Sequence, residues 1–211
     1  MHFTKIEDNH FSFEEYKEQV EKIRLVNRIE HGYYPLIIAV LNKVLTNTEI
    51  QVVDVSTTPH ARTTIHHKED YSGCEGPPDL LLAKNYEYEN RNGKPQYLAL
   101  VEIKRPFIIW ENDIDQLKSH LSVNNKVIFT NIVQWCFFKG NGDIKPEKII
   151  DLQNEVIYST RSESLEQIQW KAESAKTPDF LLKEMDFPDI HEIEPNVWKE
   201  LHEYLKKFIL E

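Results

Sequence analysis

A Pro78-Asp79 pair followed, after 22 residues, by Glu102-Ile103-Lys104 constrains this chain more than any other feature. The stretch reads PPDLLLAKNYEYENRNGKPQYLALVEIKRP. Asn90-Arg91-Asn92-Gly93 is a turn signal, because Asn-Gly readily takes the left-handed backbone of a tight hairpin. Apolar runs flank it, Leu80-Leu81-Leu82-Ala83 before and Tyr97-Leu98-Ala99-Leu100-Val101 after. Opposed residues of an antiparallel hairpin have numbers of constant sum. Pairing Asp79 with Glu102 puts the midpoint between Asn90 and Arg91, inside the turn. Asp79 should then face Glu102 at the open end of the hairpin. Side chains repeat every second residue along a strand, so Glu102 and Lys104 share a face. Two carboxylates and an ammonium are expected to converge on one sheet edge.

That trio suits a divalent metal and an activated water. Mg2+ prefers hard oxygen ligands and retains several waters, so Asp79, Glu102 and the backbone carbonyl of Ile103 suffice as its protein ligands. Mn2+ can substitute. Such a metal lowers the pKa of a bound water and offsets charge on a phosphodiester under attack. A lysine beside that water can orient it, help deprotonate it or stabilise developing negative charge. The same spacing also arises in an exposed hairpin of a charged chain, where the acids and the lysine are merely solvated.

At 211 residues, with 40% hydrophobic and 11% aromatic residues, the chain can bury a core and is not globally disordered. One domain over 1–211 is expected, with a core at about 27–140 and a helical C-terminal extension at about 160–211. Two cysteines, Cys74 and Cys136, make no disulfide framework, which fits a reducing, cytoplasmic setting. The first ten residues lack the apolar core of a signal peptide, and the longest apolar run, 33–41, is too short to span a bilayer. No membrane partner is expected.

A net charge of −10 opposes a general nucleic-acid surface, since affinity for duplex rises with the phosphates neutralised. A basic face must therefore be local. The segment 56–68 (STTPHARTTIHHK) carries Arg62, His66, His67 and Lys68 without an acid, and Arg105 and Lys118 can extend it. An ordinary polar loop is the other reading. His60, His66, His67 and Cys74 include zinc-ligand types, but their spacing matches no zinc signature.

Ser12-Phe13-Glu14-Glu15 is a capping box, with Phe11 and Tyr16 at the staple positions. Tyr16, Val20, Ile23 and Val26 continue at helical spacing, predicting a helix over about 13–30. Pro35 opens a second helix through Leu45. A strand is expected over 50–55, then the hairpin, then an amphipathic helix over 111–121 with Ile114, Leu117 and Leu121 inward. Strands follow over 126–130 and 133–138. The last third suggests a strand over 155–158, a helix from Leu165, and a closing helix with Trp198, Leu201, Leu205 and Phe208 as its apolar stripe. Cys136, Trp135, Phe137 and Phe138 read as core.

The order helix, strand, hairpin, helix, strand over about 30–140 resembles the PD-(D/E)XK nuclease superfamily, and in particular the N-terminal nuclease domain of type I restriction motor subunits. Four pieces carry the resemblance. Asn27-Arg28-Ile29-Glu30 with Tyr34-Pro35-Leu36-Ile37 resembles the first-helix segment and its acid. Pro78-Asp79 and Glu102-Ile103-Lys104 resemble the metal and lysine motifs. Asp115-Gln116-Leu117-Lys118-Ser119-His120 resembles the next helix, with His120 where an aromatic is usual. Thr130-Asn131, Trp135 and Phe137-Phe138 resemble the paired strands after it, with Ile132 replacing a usual glycine.

The resemblance implies an α/β fold with a restriction-endonuclease-like core, a central mixed sheet flanked by helices, and extra C-terminal helices. It implies Mg2+-dependent hydrolysis of DNA phosphodiesters in restriction, phage defence or a mobile element. Glu30, Asp79 and Glu102 become the acidic set, Lys104 the catalytic lysine, and Gln116 a residue orienting water, lysine or phosphate. DNA is the implied partner, with room for a restriction or defence protein or a homodimer. A non-catalytic module of the same fold, binding nucleic acid or serving as an accessory or inhibitor subunit, is the alternative that the acidic charge leaves open.

Overall fold

The computed structural model describes residues 11–26, 30–56, 70–86, 95–106, 108–140, 144–152 and 195–211. Helix α1, Phe13–Val26, begins as its capping box requires. The Glu15 N–H donates to Ser12 Oγ at 3.1 Å, and the Ser12 N–H donates to Glu15 Oε2 at 2.7 Å. The Phe11 and Tyr16 rings meet edge to face with centroids 6.3 Å apart, closing the staple. The described part of the helix reaches Val26, and Glu30 opens a short 3-10 turn, Glu30–Tyr33. Helix α2, Tyr34–Val44, follows with Pro35 in its first turn.

Strands β1 (Ile50–Asp54), β2 (Leu80–Lys84), β3 (Gln96–Ile103), β4 (Lys126–Thr130), β5 (Gln134–Lys139) and β6 (Lys148–Asp151) form one six-stranded sheet in sequence order. All neighbours are antiparallel except β3 and β4. A parallel pair needs a crossover, and a 3-10 turn at Trp110–Asp113 leading into helix α3, Ile114–Val123, supplies it. Helix α4, Pro195–Leu210, closes the described chain. This is a mixed α/β fold, compatible with a restriction-endonuclease-like core. Among the described residues, no helix is long and apolar enough to cross a membrane.

The sheet separates two apolar layers. On one face Leu80, Leu82, Val101, Trp135 and Phe137 pack with α1, α2 and α4. On the other Leu81, Leu100, Phe129, Cys136 and Phe138 pack with Leu117 and Leu121 of α3. The hairpin register opposes Leu80 to Val101, Leu81 to Leu100 and Leu82 to Ala99, in line with the expected centre. Farther in, Ala83 opposes Tyr97, so Leu98 is the extra residue of a β-bulge. A bulge puts two successive side chains on one side, and Leu98 and Ala99 both join the first layer. The turn at 90–93, the segment 56–68 beyond Ser56, and the elements expected over 155–158 and from Leu165 lie outside the described residues.

The turn between β4 and β5 carries Ile132 where the resemblance leads one to expect a glycine. Ile132 takes a φ of 79°, in the left-handed region that a β-branched residue avoids. That costs about 1–2 kcal/mol, against roughly 1.5–3 kcal/mol from burying the side chain. Ile132 is fully buried among the α1–α2 layer. The turn is also tied on every side. Tyr16 donates its hydroxyl to the Ile132 carbonyl at 2.5 Å, and the Ile132 N–H reaches Thr130 Oγ1 at 3.1 Å. Asn131 Oδ1 accepts the Gln134 N–H at 2.8 Å, and its amide donates to the Ile108 carbonyl at 2.8 Å. Burial therefore outweighs backbone strain at this position.

Candidate active site

The C-terminal end of β3 collects the polar residues that the sequence singles out. Glu102 alternates with Val101 and Ile103, so its side chain emerges on the α3 face. It is only 1% exposed. Each of its oxygens has its own donor. Lys104 Nζ lies 2.6 Å from Oε1, and His120 Nε2 lies 2.9 Å from Oε2. Because a carboxylate accepts, this ring nitrogen carries the proton. Gln116 and His120 stand one helical turn apart on α3, and Gln116 Oε1 accepts from Lys104 Nζ at 3.1 Å. Lys104 is itself held by its backbone N–H, which donates to the Thr130 carbonyl of β4 at 2.8 Å. The parallel β3–β4 pair thus aims the lysine, and the crossover helix supplies its second acceptor.

Asp79 sits just before β2, its N–H donating to the Val101 carbonyl at 3.1 Å. The Ile103 N–H donates to Asp79 Oδ2 at 2.7 Å, and the Tyr34 hydroxyl donates to Oδ1. Burial first, and then the nearby Glu102 charge, push the Asp79 carboxyl up to about 7. The hydrogen bonds from Tyr34 and Ile103 and the Lys104 charge pull it back. Burial works to lower the Lys104 ammonium, but Glu102, Asp113 and Glu30 outweigh it and hold it above its ordinary range. Glu30 is raised by burial, with Lys104 opposing and Glu102 adding to the rise. Asp113 follows the same pattern. Tyr34 is held protonated by burial and by Asp79.

The Asp79 shift has a consequence for stability. A carboxyl raised in the folded state contributes stability that is fully present below its unfolded pKa and is lost as pH rises through the folded one. For Asp79 the window runs from about 4 to about 7. In EDTA, the wild-type protein should therefore lose more stability between pH 5 and pH 8 than Asp79→Asn, which has no proton to shed. Urea unfolding of both proteins at the two pH values measures this, and equal losses contradict it.

The expected site residues are thus partly assembled. Glu102, Lys104 and Gln116 are in direct contact, and Asp79, held by Tyr34 and the Ile103 N–H, is close enough for its carboxyl to feel the Glu102 and Lys104 charges. Glu30 is close enough for its charge to be felt by Lys104 and Arg105. Among the described residues no three His, Cys, Asp or Glu side chains are grouped as a metal cage. A two-carboxylate set with a strand carbonyl suits Mg2+, which keeps much of its water shell. It does not suit zinc, which takes four protein or substrate ligands rich in nitrogen and sulfur. Arg62, His66, His67 and Lys68 lie outside the described residues. Arg105 is exposed, and Lys118 is exposed 3.7 Å from Asp115.

Three participants were not singled out as site residues from sequence. Asp113 and His120 flank Gln116 at spacings of three and four, so helical periodicity put them on one side. Tyr34 gave no local signal, because its contact with Asp79 spans 45 residues.

No protein-family model matches the chain, and no curated protein matches it. Among solved structures, it is similar to a chain in a cryo-EM structure described as a DrdV–DNA complex, at 11% identity and a TM-score of 0.45. The match covers 72% of this chain but only 13% of that one. A likeness this slight adds nothing to the reading of the site, which rests on the local geometry.

Proposed function

We propose that the chain is a Mg2+-dependent nuclease of the PD-(D/E)XK type, hydrolysing phosphodiester bonds in DNA. The observation that supports the reading is the Glu102–Lys104–Gln116 contact at the end of β3, with Asp79 tied to the same strand through the Ile103 N–H and near enough to feel the Glu102 charge. Asp79, Glu102 and the Ile103 carbonyl would hold the metal. When bound, Mg2+ supplies a more acidic water and charge for the pentavalent phosphate.

The chain's own residues divide the remaining work. An ammonium carries three donors, and Glu102 and Gln116 take two of them from Lys104. The third is free for a water or a phosphate oxygen. The raised pKa of Lys104 keeps it a cation, so it orients and stabilises rather than removing a proton in this state. Gln116 engages Lys104 through its carbonyl oxygen, leaving its amide N–H groups for the phosphate or the water. His120 fixes the Glu102 carboxylate from the helix side, as an orienting group behind a ligand does. Arg105, exposed and close enough to be felt by Glu30, fits a role in holding the DNA backbone, and Lys118, exposed on α3, could extend it.

The test is a cleavage assay on plasmid and linear DNA with Mg2+ or Mn2+, and with EDTA. Cleavage should need the metal and should vanish with EDTA. Cutting that persists in EDTA contradicts the reading. Metal-independent DNA binding with no cutting under any condition points instead to a binding module of the same fold.

A further inference from the structure

We infer that Tyr34 is a positioning residue that sets the Asp79 carboxylate for metal binding, an inference that rests on the nuclease reading above. Asp79 has a donor on each oxygen, the Ile103 N–H at 2.7 Å on Oδ2 and the Tyr34 hydroxyl on Oδ1. Two donors on two oxygens fix both the rotation and the plane of a carboxylate. Each oxygen retains a second lone pair, and those lone pairs then point in one set direction.

The two donors differ in kind. Ile103 N–H belongs to β3, the strand that carries Glu102, so it ties Asp79 to the other ligand. Tyr34 comes from the first turn of α2, on the sheet face opposite α3. The residue is 3% exposed, and the His31 ring stacks on its ring with centroids 4.8 Å apart and planes 25° from parallel. The next turns of α2 bury Leu36, Ile37, Val40 and Leu41 in the core. The phenol is therefore fixed by a packed helix, and its hydroxyl lies where the carboxylate needs a partner. The α1–α2 layer orients Asp79 through Tyr34, as α3 orients Glu102 through His120. Neither ligand relies on solvent for its alignment.

Groups that orient a metal ligand in this way typically change metal affinity or activity by 10–100-fold when removed. Tyr34→Phe deletes one oxygen and keeps the ring, its packing and its stack on His31. Mn2+ binding to the protein without DNA, followed by electron paramagnetic resonance of free Mn2+, should weaken roughly tenfold. The Mn2+ concentration that half-saturates cleavage should rise by about the same factor, while the rate at saturating Mn2+ stays within about threefold of wild type. Tyr16→Phe is the control for a purely structural loss. It removes another buried phenol hydrogen bond, that to the Ile132 carbonyl at 2.5 Å, and should leave Mn2+ affinity unchanged.

Mn2+ affinity equal to wild type in Tyr34→Phe overturns the inference, even if the variant melts earlier. Equal weakening in Tyr34→Phe and Tyr16→Phe also overturns it, since the hydroxyl would then act only through general stability. Wild-type protein that binds no Mn2+ overturns the metal site itself. Wild type that binds Mn2+ and cuts, with Tyr34→Phe indistinguishable from it, overturns the role of Tyr34 alone.

Discussion

Glu102→Gln should lower metal-dependent cleavage by roughly a thousandfold or more while leaving the protein folded. Glu102 is the most buried charged group at the site, and both its oxygens are engaged, by Lys104 at 2.6 Å and His120 at 2.9 Å. The amide has the same shape but one acceptor fewer and no charge. Unless the His120 ring changes tautomer to accept from the new amide, one of the two donors loses its partner, at a cost of about 1–3 kcal/mol. That is a visible loss of stability but a small one beside the loss of chemistry. Removing the whole side chain is harsher, because breaking a buried ion pair costs about 3–5 kcal/mol. Lys104→Ala provides the contrast. It should cut more slowly by a similar factor yet keep Mn2+ binding, because it removes no metal ligand. Steady-state cleavage, Mn2+ binding and thermal unfolding on the three proteins separate these effects. Near-normal cleavage by Glu102→Gln would remove Glu102 from the reaction.

The second large effect is expected at Gly73, outside the catalytic set. A Cβ there would stand 2.4 Å from the Ser119 carbonyl oxygen and 2.7 Å from its carbon, both backbone atoms of α3. It would also meet Ser119 Oγ at 2.1 Å, an atom that already accepts the Glu75 N–H at 2.9 Å. The hydroxyl could rotate away, but the helix backbone cannot. Gly73→Ala must therefore lift the segment from Asp70 to Gly76 off α3 or push α3 outward. A loss of about 3 kcal/mol is expected, at the upper end of ordinary overpacking. Cleavage should fall as well, because Ser119 adjoins His120 and lies one turn beyond Gln116. Urea unfolding measures the first effect and cleavage at saturating Mn2+ the second. Wild-type stability in Gly73→Ala would show that the segment has room to move.

Much of this architecture was legible in the sequence, for identifiable reasons. The hairpin register followed from an Asn-Gly turn between apolar runs, and it holds from Leu80 to Leu82. The capping box located the start of α1 because its two hydrogen bonds are local. Gln116 and His120 fell on one helix face by spacing alone. The misses are equally physical. The bulge at Leu98 lies within Tyr97-Leu98-Ala99-Leu100-Val101, an unbroken apolar run in which a shift of one residue leaves no trace in the pattern. Strand β6 is four residues long with charged residues at both its ends, Lys148 and Asp151, so main-chain pairing with β5 defines it and not its composition. Tyr34 lies within a motif segment, but its bond to Asp79 exists only once α2 is packed against the sheet.

Asp79 and Glu102 are proposed to hold a catalytic metal together, beside Lys104. A crystal structure of the protein soaked in Mn2+, read by its anomalous signal, tests this most directly. One strong peak is expected, bonded to a carboxylate oxygen of each residue and to the Ile103 carbonyl, with Lys104 Nζ near but not bonded to it. A fully occupied Mn2+ site elsewhere, with the Asp79–Tyr34 and Glu102–Lys104 bonds undisturbed and this position empty, would contradict it.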